Sequence, residues 1–222
     1  MSAGSRPAAP LRRAIERPEV LPLFPTLVWK SQLLPEVARP LNRFLDRYLH
    51  DLVPNLAAGQ AWQSSHDLHR LGGLEPLVEC IEAAAEAALE SLKIEPRDIE
   101  ITACWATVNA PGRGHAAHAH PNSFLSGAYY VATRAGADTI NFHDPRSQTG
   151  VIRPPVTELV AANADQAVVA VADGTLLLFP SWLQHSVDPN ASTGNRISMS
   201  FNLMFAEYGE RLCKPLWQGG SS

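Results

Sequence analysis

The stretch GTLLLFPSWLQHSV, residues 174–187, holds a strand, a turn and the start of a second strand. An apolar run this short, bounded by Gly174 and Pro180, reads as a buried strand rather than a helix. The residues FPSW then turn the chain, and His185 opens a short strand, HSV. A histidine in that position stands at the mouth of a barrel.

Working outward, the same kind of segment recurs. Strands are expected at IEITACWATVN (99–109), FLSGAYYVAT (124–133), DTINFH (138–143), QAVVAVA (166–172), GTLLLFP (174–180) and RISMSFNLMF (196–205). The turn-forming segments APGRG, RAGAD, DPRSQTG, ADG and DPNASTGN lie between them. Short strands at this spacing indicate a sandwich or a barrel.

The half before residue 98 is different. In PLNRFLDRYLHDL, Leu41, Phe44, Leu45, Tyr48, Leu49 and Leu52 fall at helical spacing. In LEPLVECIEAAAEAALESL, Leu74, Leu77, Val78, Ile81, Ala85 and Leu89 do so in an Ala- and Glu-rich context. A loop of about residues 54–73 separates the two, and a short strand, LFPTLVW, is expected before the first. Helices first and strands after give an α+β layout with the helices packed on one sheet. The expected organisation is a flexible arm (1–20), a single domain (21–210) with helical support at 34–93 and a strand core at 99–205, and a tail (211–222).

The bulk composition excludes several functions. The 222 residues carry a net charge of −4, with no basic cluster beyond Arg12 and Arg13, so no nucleic-acid partner is expected. No apolar run reaches membrane-spanning length, and the N-terminus lacks the apolar core of a secretory signal. Three widely spaced cysteines, Cys80, Cys104 and Cys213, make neither a disulfide framework nor a zinc knuckle. A cytoplasmic protein is expected.

The chemistry gathers around histidine. In HAHPNSFLSGAYYV (118–131), His118 and His120 are two apart, so in extended chain both face one side. His185 follows the buried strand. Arg196 and Ser198 share one face of RISMSFN, where an arginine is costly unless a carboxylate partners it. His115 reads as a loop residue or a donor behind the others. His66 and His69 read as an exposed loop, with lining of the pocket from the helical part as the alternative, His143 and Asp144 as a turn, Trp105 and Trp182 as packing, with substrate contact at the mouth as the alternative for Trp182, and Cys104 as a small buried residue.

Together HAHPNSFLSGAYYV, FHDPR and LFPSWLQHSVDPN with RISMSFN resemble a bacterial and phage subfamily of the Fe(II)- and 2-oxoglutarate-dependent oxygenases, over residues 22–205. The resemblance implies a double-stranded β-helix, or jelly roll, with supporting helices. It implies Fe(II) and 2-oxoglutarate as cofactors, O2 as co-substrate, and a hydroxylase that couples decarboxylation of 2-oxoglutarate to succinate with oxidation of a substrate. The substrate itself, whether a protein side chain, a free amino acid or a small metabolite, leaves no signature, nor does the oligomeric state.

Residue by residue, the resemblance makes His118, His120 and His185 the metal ligands and the catalytic set. His120 stands where the family's facial triad has Asp or Glu. Two other alignments are open: His120 with Asn122, or a carboxylate from Asp144. Arg196 and Ser198 match the pair that binds the distal carboxylate of 2-oxoglutarate, and Tyr130 matches a tyrosine used for the same group. Strand phase adds Asn109 and Ser126 to that pocket. Two further readings compete: a cupin-like three-histidine dioxygenase without 2-oxoglutarate, and a non-catalytic jelly-roll binding module. Arg196 and Ser198 discriminate against the first, because it gives them no ligand.

Overall fold

Two antiparallel sheets face one another, and two helices cover the outside of the larger. The computed structural model describes residues 19–95, 98–146, 154–160 and 162–208. Most of the expected arm, the expected tail and Cys213 lie outside the described residues.

Helix α1 spans Pro35–His50 and α2 spans Glu75–Ser91. Helix α1 begins earlier than the expected start at Pro40. Two prolines compete for the first turn: Pro35 takes it, and Pro40 lies inside the helix, where it forgoes one backbone bond. Ala38, Leu41, Leu45 and Leu49 form the buried stripe of α1, and Leu77, Ile81, Ala85, Ala88 and Leu89 that of α2.

The strands are β1 (Trp29–Gln32), β2 (Ala61–Gln63), β3 (Ile99–Asn109), β4 (His115–His118), β5 (Leu125–Ala132), β6 (Thr139–His143), β7 (Gln166–Ala170), β8 (Thr175–Pro180), β9 (His185–Val187) and β10 (Arg196–Phe205). The larger sheet has the order β1-β8-β5-β10-β3-β2, and the smaller β4-β9-β6-β7. This is the jelly-roll core expected, with helices on one sheet.

The expected strand LFPTLVW gives way to β1, which starts at its last residue. Pro25 has no N–H to donate and Phe24 adopts a left-handed φ of 55°, so neither continues a ladder. Two strands, β2 and β4, were not expected. Both are short edge strands carried by their partners, β2 by β3 and β4 by β9.

Side-chain alternation divides the larger sheet into two faces. Tyr129 and Val131 on β5, Leu176 and Leu178 on β8, Met199 and Phe201 on β10, and Cys104 and Ala106 on β3 pack against the helices. The alternate residues Ala128, Tyr130, Leu177 and Phe179 turn the other way, toward Ile140 and Phe142 of the smaller sheet. Gly127 is required between β5, β8 and β10. A Cβ there would stand 2.3 Å from Cζ of Phe201 and 2.5 Å from the carbonyl oxygen of Leu177.

Candidate active site

A cavity opens between the two sheets. On the larger-sheet side, Trp105, Thr107 and Asn109 of β3 line it, with Tyr130 of β5 and Arg196, Ser198 and Ser200 of β10. These are the alternate residues of strands whose other face is the helical core. The register places Arg196 opposite Asn109, Ser198 opposite Thr107 and Ser200 opposite Trp105. From the smaller sheet come His115 and His118 of β4 and His185 of β9, with His120 on the segment after β4.

His118, His120 and His185 each offer a nitrogen, and these atoms lie within 4.8 Å of one another. Antiparallel pairing sets His118 directly opposite His185. Two of the rings are oriented by backbone. Nδ1 of His118 hydrogen-bonds the Ala116 carbonyl at 2.9 Å, and Nδ1 of His185 the Leu183 carbonyl at 3.0 Å. A carbonyl only accepts, so each Nδ1 carries the proton and each Nε2 presents a lone pair, which is the tautomer a metal ion needs. Burial first, and then the neighbouring histidines, pushes the His120 imidazole down to about 4. Burial does the same to His185, to about 4, against the opposing bond to Leu183. Both rings are therefore neutral, as ligands must be.

His120 is fixed through its backbone. Its N–H donates to the Ser181 carbonyl at 2.9 Å. The Ser181 N–H donates to the Phe124 carbonyl at 3.1 Å, and its hydroxyl meets Ser126 Oγ at 2.8 Å. Ser126 Oγ donates in turn to Asn202 Oδ1 at 2.8 Å. Ser126 was expected in the cosubstrate pocket and is not there. It belongs to this buried hydroxyl chain, because its partners draw it away from the cavity that Tyr130, four residues on, does line.

The other end of the cavity holds Arg196, only 3% exposed. Its Nε and Nη1 have no hydrogen-bond partner, nor has the Tyr130 hydroxyl. The guanidinium lies 5.2 Å from the Tyr130 ring centroid. Burial raises the Tyr130 phenol, with Arg196 opposing, so it stays protonated as a donor. A buried cation with free donors calls for an anion. Ser198 and Asn109 line the same cavity.

The two alternative ligand alignments are not assembled. Asp144 does not line the cavity, and its carboxylate holds Arg146 at 2.9 and 2.7 Å, as a D-P-R turn would. Asn122 takes a left-handed φ of 59° in the turn before β5 and is likewise absent from the lining. His143, read as a turn residue, ends β6 and bonds Ser186 Oγ at 2.8 Å.

Some residues were missed. His115 is no loop residue: it opens β4 and stacks on His118 at 4.3 Å. His66 stacks on Trp105 at 4.8 Å, and Trp105 faces His120 at 5.9 Å. Thr107 and Ser200 were legible, since counting by two from Asn109 and Ser198 reaches them.

Residues 103–202 match the model of a family described as "Putative 2OG-Fe(II) oxygenase". None of the curated proteins matches the sequence. Among solved structures, a Pseudomonas putida prolyl-4-hydroxylase superposes with a TM-score of 0.56 at 14% identity, covering 80% of this chain and 92% of that one. The α-ketoglutarate-dependent carbocyclase SnoK from nogalamycin biosynthesis gives 0.60 at 13%, covering 82% and 80%. HygX from Streptomyces hygroscopicus, with nickel and 2-oxoglutarate bound, gives 0.57 at 11%, covering 82% and 83%. At such identities the likeness is one of fold.

Proposed function

We propose, taking the match of residues 103–202 to the 2OG-Fe(II) oxygenases as premise, that this chain is an Fe(II)- and 2-oxoglutarate-dependent dioxygenase working as a hydroxylase. His118, His120 and His185 hold the iron. Arg196 binds the distal carboxylate of 2-oxoglutarate, with the Tyr130 hydroxyl and Ser198 beside it and Asn109 against the same wall. One observation carries the reading. A buried guanidinium with unpaired donors shares one cavity with three convergent histidine nitrogens. A cupin-like site without 2-oxoglutarate leaves that guanidinium unpartnered, at a cost the fold has no reason to bear.

The residues fit both groups. Imidazoles suit iron, and a guanidinium fork suits a carboxylate. Bound iron and 2-oxoglutarate supply the oxidising chemistry, with O2 as oxidant and succinate and carbon dioxide as products. The chain's own residues orient it. The Ala116 and Leu183 carbonyls hold two imidazoles in the ligating tautomer, and Ser181 holds the backbone of the third. Phe142 and Phe179 pack near His185 and keep water from that side. No described helix is long and apolar enough to cross a membrane. Cys80 and Cys104 are free thiols, which suits the cytoplasm.

The test is an anaerobic titration of the metal-free protein with Fe(II) and then 2-oxoglutarate. The expected result is the weak visible charge-transfer band of a chelated 2-oxo acid, lost in Arg196→Ala. Iron binding without a band sinks the 2-oxoglutarate reading. No metal binding leaves a jelly-roll binding module.

A further inference from the structure

The cavity is lopsided in charge. Every ionisable residue lining it is basic or a phenol: His115, His118, His120, His185, Arg196 and Tyr130. No Asp or Glu lines it among the described residues, although acidic residues outnumber basic ones in the whole chain, 22 to 18. The hydrogen-bond acceptors behind His118 and His185 are backbone carbonyls, not carboxylates, so no negative charge enters there either. Asp144, outside the lining, pairs with Arg146.

Resting on the function proposed above, the loaded site can be counted. Fe(II) brings two positive charges and Arg196 one, the histidine ligands bring none, and 2-oxoglutarate brings two negative charges. One positive charge is left over. With a carboxylate at position 120 the same site would be neutral.

The surplus charge lies inside a cavity walled in part by Ile140, Phe179 and Val187, where it acts strongly on anything that enters. Beside it, His115 stacks on His118 and lines the cavity, adding a ring N–H and no acid. We propose that the substrate of this enzyme is an anion that presents a carboxylate beside His115 and the metal, supplying from outside the negative charge that His120 leaves out. Amines and other cationic substrates are repelled by the same count.

The experiment uses the Fe(II)- and 2-oxoglutarate-loaded protein without oxygen, at constant ionic strength. Acetate, acetamide and chloride are titrated separately while the charge-transfer band is followed. The expected result is a saturable shift of the band with acetate, at least about tenfold weaker with isosteric, neutral acetamide. In His120→Asp, which removes the surplus charge, the acetate effect falls by a similar factor while metal is retained. If that variant fails to bind metal, the acetate and acetamide comparison on the unaltered protein decides alone. Equal effects of the two, no effect of either, or loss of the band through displacement of 2-oxoglutarate overturns the proposal and leaves the oxygenase assignment standing. A chloride effect without an acetate effect overturns it in favour of an inorganic ion at the metal. Failure of any band to form takes down the oxygenase reading itself.

Discussion

The carbonyl of Ser181 accepts the backbone N–H of His120 at 2.9 Å. Ser181 stands four residues before His185, and a tight turn, Leu183 N–H to Pro180 carbonyl at 2.9 Å, joins them. One residue thus ties together two of the three histidines. Its hydroxyl is anchored by Ser126 and, through it, by Asn202.

Removing that anchor should loosen the metal site more than the fold. Ser126→Ala strands the Ser181 hydroxyl and Asn202 Oδ1, and Co(II) affinity is expected to fall about 10- to 100-fold. A comparably destabilised helix-layer variant, Leu45→Ala, should keep its affinity. Isothermal titration on both, matched by melting temperature, checks this. Equal losses would make the serine chain merely structural.

Arg196→Met should lower 2-oxoglutarate affinity roughly 10- to 150-fold, the worth of about 1.5–3 kcal/mol for hydrogen bonds to a charged group. In the metal-free protein the same change should not lower the melting temperature, because it removes a buried guanidinium whose Nε and Nη1 have no partners. Calorimetry with and without 2-oxoglutarate separates the two effects. A melting temperature that drops in the absence of ligand would mean that the arginine has a structural partner.

Burial pushes the Cys104 thiol up to about 12 from an ordinary 9.0. The folded state therefore keeps a proton that the unfolded state sheds above pH 9. The sign follows: stability is full below that pH and declines as pH rises toward 12. Native Cys104 should resist iodoacetamide at pH 8–9 and react at once in denaturant, as read by peptide mass mapping. Alkylation of the folded protein at an ordinary thiol rate would contradict the burial.

Gly127→Ala places a methyl group against Phe201 and the Leu177 carbonyl, a backbone atom that cannot swing aside. A loss of about 1–3 kcal/mol is expected, from chemical denaturation. An unchanged midpoint would show that β5 and β8 have slack at this position.

The strand core was legible because its segments are short and apolar with turn residues between them, and β3 and β10 run over the residues expected, 99–109 and 196–205. The edge strands were not legible. Three residues such as AWQ carry no periodicity of their own, and β2 exists because β3 offers free backbone groups. The three convergent histidines were marked by spacing together with the strand that precedes His185. Ser126 misled because β5 was counted from Tyr130 without regard to what lay beyond its end. A hydroxyl at the rim of a sheet goes to the partner that satisfies it, and Ser181 and Asn202 both lay far off in sequence. His115 was missed because HAAH shows no strand pattern until β9 pairs with it.

The alternation along β10 has a consequence for how this protein fails. Arg196, Ser198 and Ser200 look into the cavity, while Met199 and Phe201 look into the helical core. A slip of one residue would exchange the two sets, moving a guanidinium into oil and a phenyl ring into the binding chamber. No well-folded molecule can therefore have β10 misplaced and remain soluble in a silent, inactive form. Heat should therefore disorder the cavity and the helical core together, in one cooperative transition.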